Sequence, residues 1–344
     1  MNASYVSLTL IKVFSNSAFI SSSQSSKFSN IGIFNCKFSR FVSTFSQSRS
    51  DFFASRVFNS KFQDFLNNVF FIEGSSATVY QNSIFQSGVN SAISINNAAA
   101  IVNIIKCTFI GYSGHSIAFF DGNTIFMNQT TFSNCEMGYY VYSDGKNIQY
   151  THINDTQEAF NGRKTAWLCS YCGGRVDFQF HRNNNSYNHV STYSSSFFFV
   201  FTPQGTTVAS YCYGFHNKGD SLMGFDCGGA NPQSHHFCFH NNTMNQAYFL
   251  LWDTQSYPKL NNFIFSQCSE VRMDSYRGGS GSITLSECIF QIPKLSSSLG
   301  NVVPLSNCEF NASERPKCFE PNKPTVYLKE RLAMKKFALF ILVL

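Results

Sequence analysis

A four-residue pattern returns along this chain at a nearly fixed interval: a polar residue, then Ser, Cys or Thr, then any residue, then Phe. It reads Asn16-Ser17-Ala18-Phe19, Asn35-Cys36-Lys37-Phe38, Asn59-Ser60-Lys61-Phe62 and Asn82-Ser83-Ile84-Phe85. It continues as Lys106-Cys107-Thr108-Phe109 and Gln129-Thr130-Thr131-Phe132. After a shorter first step from Phe19 to Phe38, the phenylalanines recur at a spacing of roughly two dozen positions. A period in this range is the signature of a solenoid, in which each repeat buries its apolar face only by stacking on its neighbours.

Within the pattern, the small residue and Phe are two apart, so on a strand they share one face while the polar residues share the other. Each period holds two further short apolar runs. Between Phe85 and Phe109 they are Ala92–Ile95 and Ala100–Ile105, and between Phe109 and Phe132 they are Ile117–Phe120 and Thr124–Met127. Turn residues such as Gly111, Ser113-Gly114 and Asp121-Gly122-Asn123 separate them. Three strands and three turns within one such period make one coil of a parallel β-helix. The Leu-x-x-Leu-x-Leu frame of a leucine-rich repeat is absent, and no helical apolar periodicity occurs before residue 326.

The second half keeps the rhythm less strictly. Strand-like matches end at Phe180, Phe215, Phe239 and Phe265, and Glu287-Cys288-Ile289-Phe290 and Asn307-Cys308-Glu309-Phe310 restore the original form. The segment from Tyr150 to Val208 is irregular, and two readings stay open. Either one coil diverges around Thr151-His152-Ile153, or a loop is inserted near Arg182 to Ser196. The expected fold is all-β: a single right-handed parallel β-helix over residues 1–312, of about a dozen coils of about 23–25 residues. The right hand follows the preference of parallel crossovers. Phe38, Phe62, Phe85, Phe109 and Phe132 are expected to stack inside it. Residues 313–344 form a tail with Pro316, Pro321 and Pro324, basic residues, and the apolar run Phe337–Leu344.

Composition suits strands and tight turns: 39 Phe and 16 Tyr against only 13% charged residues. The net charge of +6 is diffuse, and part of the excess sits in the tail, so no nucleic-acid partner is expected. Twelve cysteines and the sequons at Asn2, Asn128, Asn154, Asn184, Asn241 and Asn311 favour an exported, extracellular or cell-surface chain. No signal peptide is visible at Met1, and the chain is expected to lack its natural beginning. The short apolar end cannot span a bilayer, which needs about 20 residues, so it is either a truncated membrane anchor, giving membrane association, or a short tail that caps the last coil.

No catalytic, cofactor-binding or metal-binding residue is assigned. Cys169-Ser170-Tyr171-Cys172 is a lone C-x-x-C with no second pair at zinc spacing among Cys212, Cys227 and Cys238, and no thioredoxin-like context, which favours structural cysteines. Phe180-His181, Phe215-His216 and Phe239-His240 suggest an outward histidine column near His235 and His236, able to bind a metal or respond to acid. The plainer reading is a polar row leading into Asn-rich turns. An enzyme acting on polysaccharides would need clustered carboxylates, and the candidates are Asp220 and Asp226 with Lys218, His216 and Arg182. Gly114-His115-Ser116 is the nearest approach to a Gly-His-Gly pattern, and it stands alone.

The serial Asn-Cys-x-Phe coils, rich in Ser and Asn, resemble the right-handed β-helix surface proteins of trichomonad protists over residues 10–310. They are more distantly similar to the chlamydial polymorphic membrane proteins, through Phe-x-x-Asn at Phe65/Asn68, Phe180/Asn183 and Phe239/Asn242. Gly228-Gly229-Ala230 is followed by Asn rather than Ile, a departure from the latter. The resemblance implies a pectin-lyase-like fold, a surface location and adhesion, and supplies no catalytic residues. The expected function is therefore a non-catalytic binding or adhesion scaffold whose partner is an extracellular protein or glycan. The alternative is a carbohydrate-active lyase or hydrolase. Cys36 and Cys107 are expected to be free thiols at a column position that demands only a small side chain.

Overall fold

The protein is described from a computed structural model, for residues 18–22, 29–49, 52–96, 100–120, 124–143, 149–155, 157–159, 170–174, 176–190, 195–201, 206–226, 232–251, 257–268, 271–275, 282–292, 294–297 and 305–312. The tail from residue 313 lies outside this set. The described residues form a parallel β-solenoid without helix. One sheet has 12 strands, each paired with the strand three further along the chain or, late in the chain, two further. A second sheet has 21 strands and consists of two columns side by side. In one turn the chain runs through Ile93–Asn96 in the first column, Ile101–Ile105 in the second and Thr108–Ile110 in the third. The next turn places His115–Phe120, Thr124–Asn128 and Thr131–Ser133 against them, in parallel and in register.

The polar residue that opens the sequence pattern is the corner between the second and third columns, and its backbone is left-handed. Asn35, Asn59, Asn82, Lys106, Gln129, Asp155, Arg182, Tyr211, His236, Asn262, Glu287 and Asn307 all have φ between 49° and 59°. Asn tolerates this region better than other non-glycine residues, which explains its frequency there. The following Ser, Cys or Thr is more than small. Its side chain donates back across the corner to the carbonyl two residues earlier: Ser60 Oγ to Phe58 O at 2.8 Å, Ser83 Oγ to Gln81 O at 3.0 Å, Thr130 Oγ1 to Asn128 O at 3.3 Å. Cys212 and Cys288 do the same through Sγ at 3.2 Å. Ser60 and Ser83 also accept from the backbone N–H of the same position one turn earlier. Where Ser, Cys or Thr stands here it is a small donor and not merely a small residue, while after the corners at His236 and Asn262 the same position is filled by Phe237 and Phe263, stacked at 4.7 Å.

The expected phenylalanine stack is present. Successive ring centroids from Phe38 through Phe62, Phe85 and Phe109 to Phe132 lie 5.3, 5.2, 4.8 and 5.1 Å apart with planes within 18° of parallel. A second left-handed corner follows the third column, at Arg40, Asp64, Ser87, Gly111 and Asn134. The next residue turns inward: Phe41 and Phe65 stack at 4.8 Å, and their successor is Gly88. A Cβ on Gly88 would sit 2.1 Å from the buried Tyr112 ring, so glycine here makes room for the tyrosine of the next turn.

In the middle of the rod the pairing continues while the core chemistry changes. Phe132 pairs with Glu158, Glu158 with Asn185, Asn185 with Gly214 and Gly214 with Phe239. These intervals are longer than those of the first half, so the turns lengthen but no coil is lost. Within Arg182–Ser196, Asn184–Ser186 is a third-column strand paired on both sides, and residues 191–194 lie outside the described set. Phe178 and Phe180 belong to the second column and Phe215 follows Gly214, which corrects their assignment to the repeat position. Glu158, Asn185, Asn183, Asn188, Asn217 and Asn242 are all buried. Their energetics rest on a ladder running along the axis just after the second corner. The Asn188 N–H donates to Asn217 Oδ1 at 3.0 Å, and the Asn217 N–H to Asn242 Oδ1 at 2.8 Å. The Asn217 and Asn242 amides donate in turn to the carbonyls of Asn185 and Gly214, one turn earlier, at 2.9 and 2.8 Å.

Cys36, Cys107, Cys135, Cys212, Cys268, Cys288 and Cys308 are thiols rather than disulfides, as expected for Cys36 and Cys107. Burial pushes the thiol of Cys107 up to about 12 and raises those of Cys135 and Cys212. Thiolate is the reactive form. Native protein at pH 8 should therefore incorporate a maleimide at the half-buried Cys36 and Cys308, and leave Cys107, Cys135 and Cys212 unlabelled until denaturant is added. Peptide mass mapping reads this directly. Labelling of Cys107 at the rate of Cys36 would contradict the buried column.

Candidate functional site

The distinctive surface of this rod is where tyrosine and histidine occupy the corners. On the first corner, Arg182, Tyr211 and His236 follow one another along the axis; on the second, Tyr187, His216 and Asn241. All six have φ between 50° and 59°. The corners project because the residue after each is an inward core position. Tyr211 stacks on His236 with centroids 4.6 Å apart and planes at 17°, and Tyr187 on His216 at 4.9 Å and 15°. His181 and His235, at the end of the second column, flank the first stack. His181 lies 5.3 Å and His235 6.1 Å from the Tyr211 ring, and His235 lies 5.4 Å from His236. Burial, reinforced by His236 and His181, lowers the pKa of His235. Between the corners runs the third-column row Asn184, Tyr213, Cys238; Cys238 is buried and disulfide-bonded.

The structure does not build the single histidine column expected from the Phe-His pairs. His181 is in register with Ser210 and His235, His216 is a second-corner residue, and His240 is a buried residue in register with Phe215. His240 Nδ1 lies 3.2 Å from Ser266 Oγ, at the edge of the polar core. Phe-His is the same dipeptide at three different places in the coil. His236, which does occupy a corner, is marked in the sequence only by lying one whole coil beyond Tyr211.

The carboxylate candidates are not brought together. Asp220 and Asp226 lie on one strand, Lys218–Asp226, roughly 20 Å apart at about 3.3 Å per residue. Asp220 is buried and accepts from Asn245 Nδ2 at 3.1 Å. Lys218 is exposed and bridges in parallel to His189, while Arg182 forms an ion pair with Asp155 at 2.9 Å. Cys172 lies in a first-column strand between Val141 and Val200, and Cys169 is outside the described residues, as is Cys227. No group of three or more His, Cys, Asp or Glu among the described residues is placed to hold a metal ion. His115 opens a first-column strand, lies 5.0 Å from the Tyr140 ring, and has its pKa lowered by burial.

No family model, curated protein or solved structure matches the chain. What the corner surface can do follows from its own geometry. It offers stacked rings whose edges carry N–H and O–H groups, on strands paired in parallel on successive turns. Among the described residues no helix is long and apolar enough to cross a membrane.

Proposed function

We propose that the chain is a non-catalytic binding or adhesion rod displayed at the cell surface, a right-handed β-helix of about a dozen coils similar in style to the trichomonad repeat proteins. The observation that carries this reading is the separation of roles within each turn. The inward positions and the small donor hold the fold, while the corner side chain is left for other work and ranges over Asn, Lys, Gln, Asp, Arg, Tyr, His and Glu. Three successive turns concentrate Tyr and His there, on a core stiffened by stacked rings and an asparagine ladder. A surface that large, regular and rigid suits recognition, because little order has to be gained on binding. The right hand is supported by the strong bias of parallel crossovers.

Two measurements test it. Localisation of the full-length gene product, by surface labelling of intact cells, should place it outside the membrane. Incubation with polyuronides and neutral polysaccharides should leave their reducing-end count unchanged. An intracellular product, or chain cleavage that scales with protein concentration, overturns the proposal.

A further inference from the structure

We propose that the tyrosine–histidine corners over residues 181–240 bind an acidic polysaccharide, and bind it more tightly in mild acid than at neutral pH. The inference rests on the binding-rod reading and names its ligand class. All eight histidines of the chain lie between residues 115 and 240, and six of them, His181, His189, His216, His235, His236 and His240, fall on three successive turns. Histidine is the side chain whose charge changes between about pH 5 and 8. The ring-to-ring distances place His181, His235 and His236 around one tyrosine at 4.6 to 6.1 Å. The ion pairs among the described residues are Arg49–Glu73 and Arg182–Asp155, and neither involves these three imidazoles.

The other charged groups around them are mostly basic. Arg182 precedes Tyr211 on the same corner, and its charge is met by Asp155. On the next turn, Asn261 stands beside His235 in register and donates to Glu287 Oε2 at 3.2 Å, and Lys259 opens that strand. Lys218 stands exposed beyond the second corner. The charged form of His235 is disfavoured by its burial first and then by His236 and His181 beside it, which lowers its pKa. An anion laid along the corner offsets that effect. Protons and anion then bind together, and by linkage the affinity rises as pH falls through the imidazole range.

The geometry selects among polyanions. Tyr211 covers one face of His236, and Tyr187 one face of His216, which reduces the platform on which nucleobases or neutral sugar rings could stack. The same rings present a row of edges with N–H and O–H donors, repeating along the axis at roughly the 4.8 Å strand spacing. A linear polymer carrying one carboxylate or sulfate per sugar presents acceptors in a matching single file.

The test uses the full-length chain, with polygalacturonate as probe, in calorimetric titrations at pH 5.5 and 7.5. Wild type should bind at least tenfold more tightly at pH 5.5. The variant His181→Gln/His235→Gln/His236→Gln should lose most of that difference, with affinity at pH 5.5 reduced tenfold or more. Gln is accepted at corners such as that of His236, as Gln129 and Gln267 show. If the triple variant fails to fold, His236→Gln alone, at the most exposed of the three, should still weaken binding at pH 5.5 about threefold. Without polymer, wild-type Tm should fall between pH 7.5 and 5.5. His235 has a depressed folded-state pKa, so the unfolded chain takes up the proton first and the stability present at neutral pH is lost on acidification; polygalacturonate should restore it. Absence of binding at both pH values overturns the inference, as does an unchanged pH dependence in the variants, or equal binding of a neutral glucan or single-stranded DNA. If such a failure accompanies a confirmed surface location, the rod reading survives it. An intracellular location with intact acid-dependent binding has the opposite outcome.

Discussion

Replacing Asn217 by alanine should lower the unfolding free energy by roughly 2–4 kcal/mol, out of proportion to the few atoms removed. Asn217 is buried in the middle of the asparagine ladder. Its Oδ1 accepts the Asn188 N–H, its Nδ2 donates to the Asn185 carbonyl, and its own N–H donates to Asn242 Oδ1. Alanine keeps only the last. The buried Asn188 N–H then loses its partner inside the rod, at about 1–3 kcal/mol, and the Asn185 carbonyl loses one hydrogen bond, worth about 0.5–1.5 kcal/mol. Asn217→Asp separates the two halves of this argument. It can still accept from Asn188 but cannot donate to Asn185, and it places a charge in the core, so it should be at least as destabilising as alanine at pH 7. Urea denaturation with the slope held constant gives the comparison, and a loss below about 1 kcal/mol for Asn217→Ala would show that the ladder is not a source of stability.

Phe85→Ala should cost about 3–5 kcal/mol. The ring is completely buried, between Phe62 at 5.2 Å and Phe109 at 4.8 Å, so its removal opens a cavity with a ring on each side. The matched control is Phe310, which is half-buried and stacks at 4.9 Å on Phe290. Phe310→Ala should cost less than half as much. Phe85 and Asn217 stand in different turns with no shared partner, so the double variant should show the sum of the two losses to within about 0.5 kcal/mol. A solenoid whose turns contact only their neighbours requires that independence. A double variant much worse than the sum would mean that the aromatic and polar sections of the core are coupled over several turns.

The fold is legible in the sequence as far as Phe132 because the pattern up to there repeats its chemistry as well as its spacing. The same small donor and the same Phe come back at the same interval. It becomes hard to read where spacing persists and chemistry does not. Glu158, Asn185 and Gly214 occupy the Phe position, and no periodicity of hydrophobic residues can find them. Phe180 and Phe215 are false matches because phenylalanine is so abundant here that it also fills the second column and the residue beside the true position. The left-handed corner is visible as a preference for Asn, but its backbone geometry is not, and so neither is the hydrogen bond that makes Ser, Cys and Thr equivalent. The histidine surface is half legible. Sequence shows that His accumulates between His181 and His240, while only the register shows that Tyr211 and Tyr187 are the partners, because they lie one whole coil from His236 and His216.

The left-handed corners also bear on how such a chain can change. Each is a residue whose backbone is specified by its position and whose side chain lies outside the core, where it can meet the corner of the neighbouring turn, as Asn59 meets Asn35 and Arg182 meets Asp155. Tyr, Arg, Lys and His accept the same conformation there as Asn. A mutation at a corner therefore alters what the rod presents without altering whether it folds, apart from a modest conformational cost that Asn or Gly would relieve. With up to two such positions in a turn, the exterior behaves as a lattice of replaceable sites at fixed separation, coupled only to the neighbouring turn. New specificities can arise on it one residue at a time, without compensating changes in the interior.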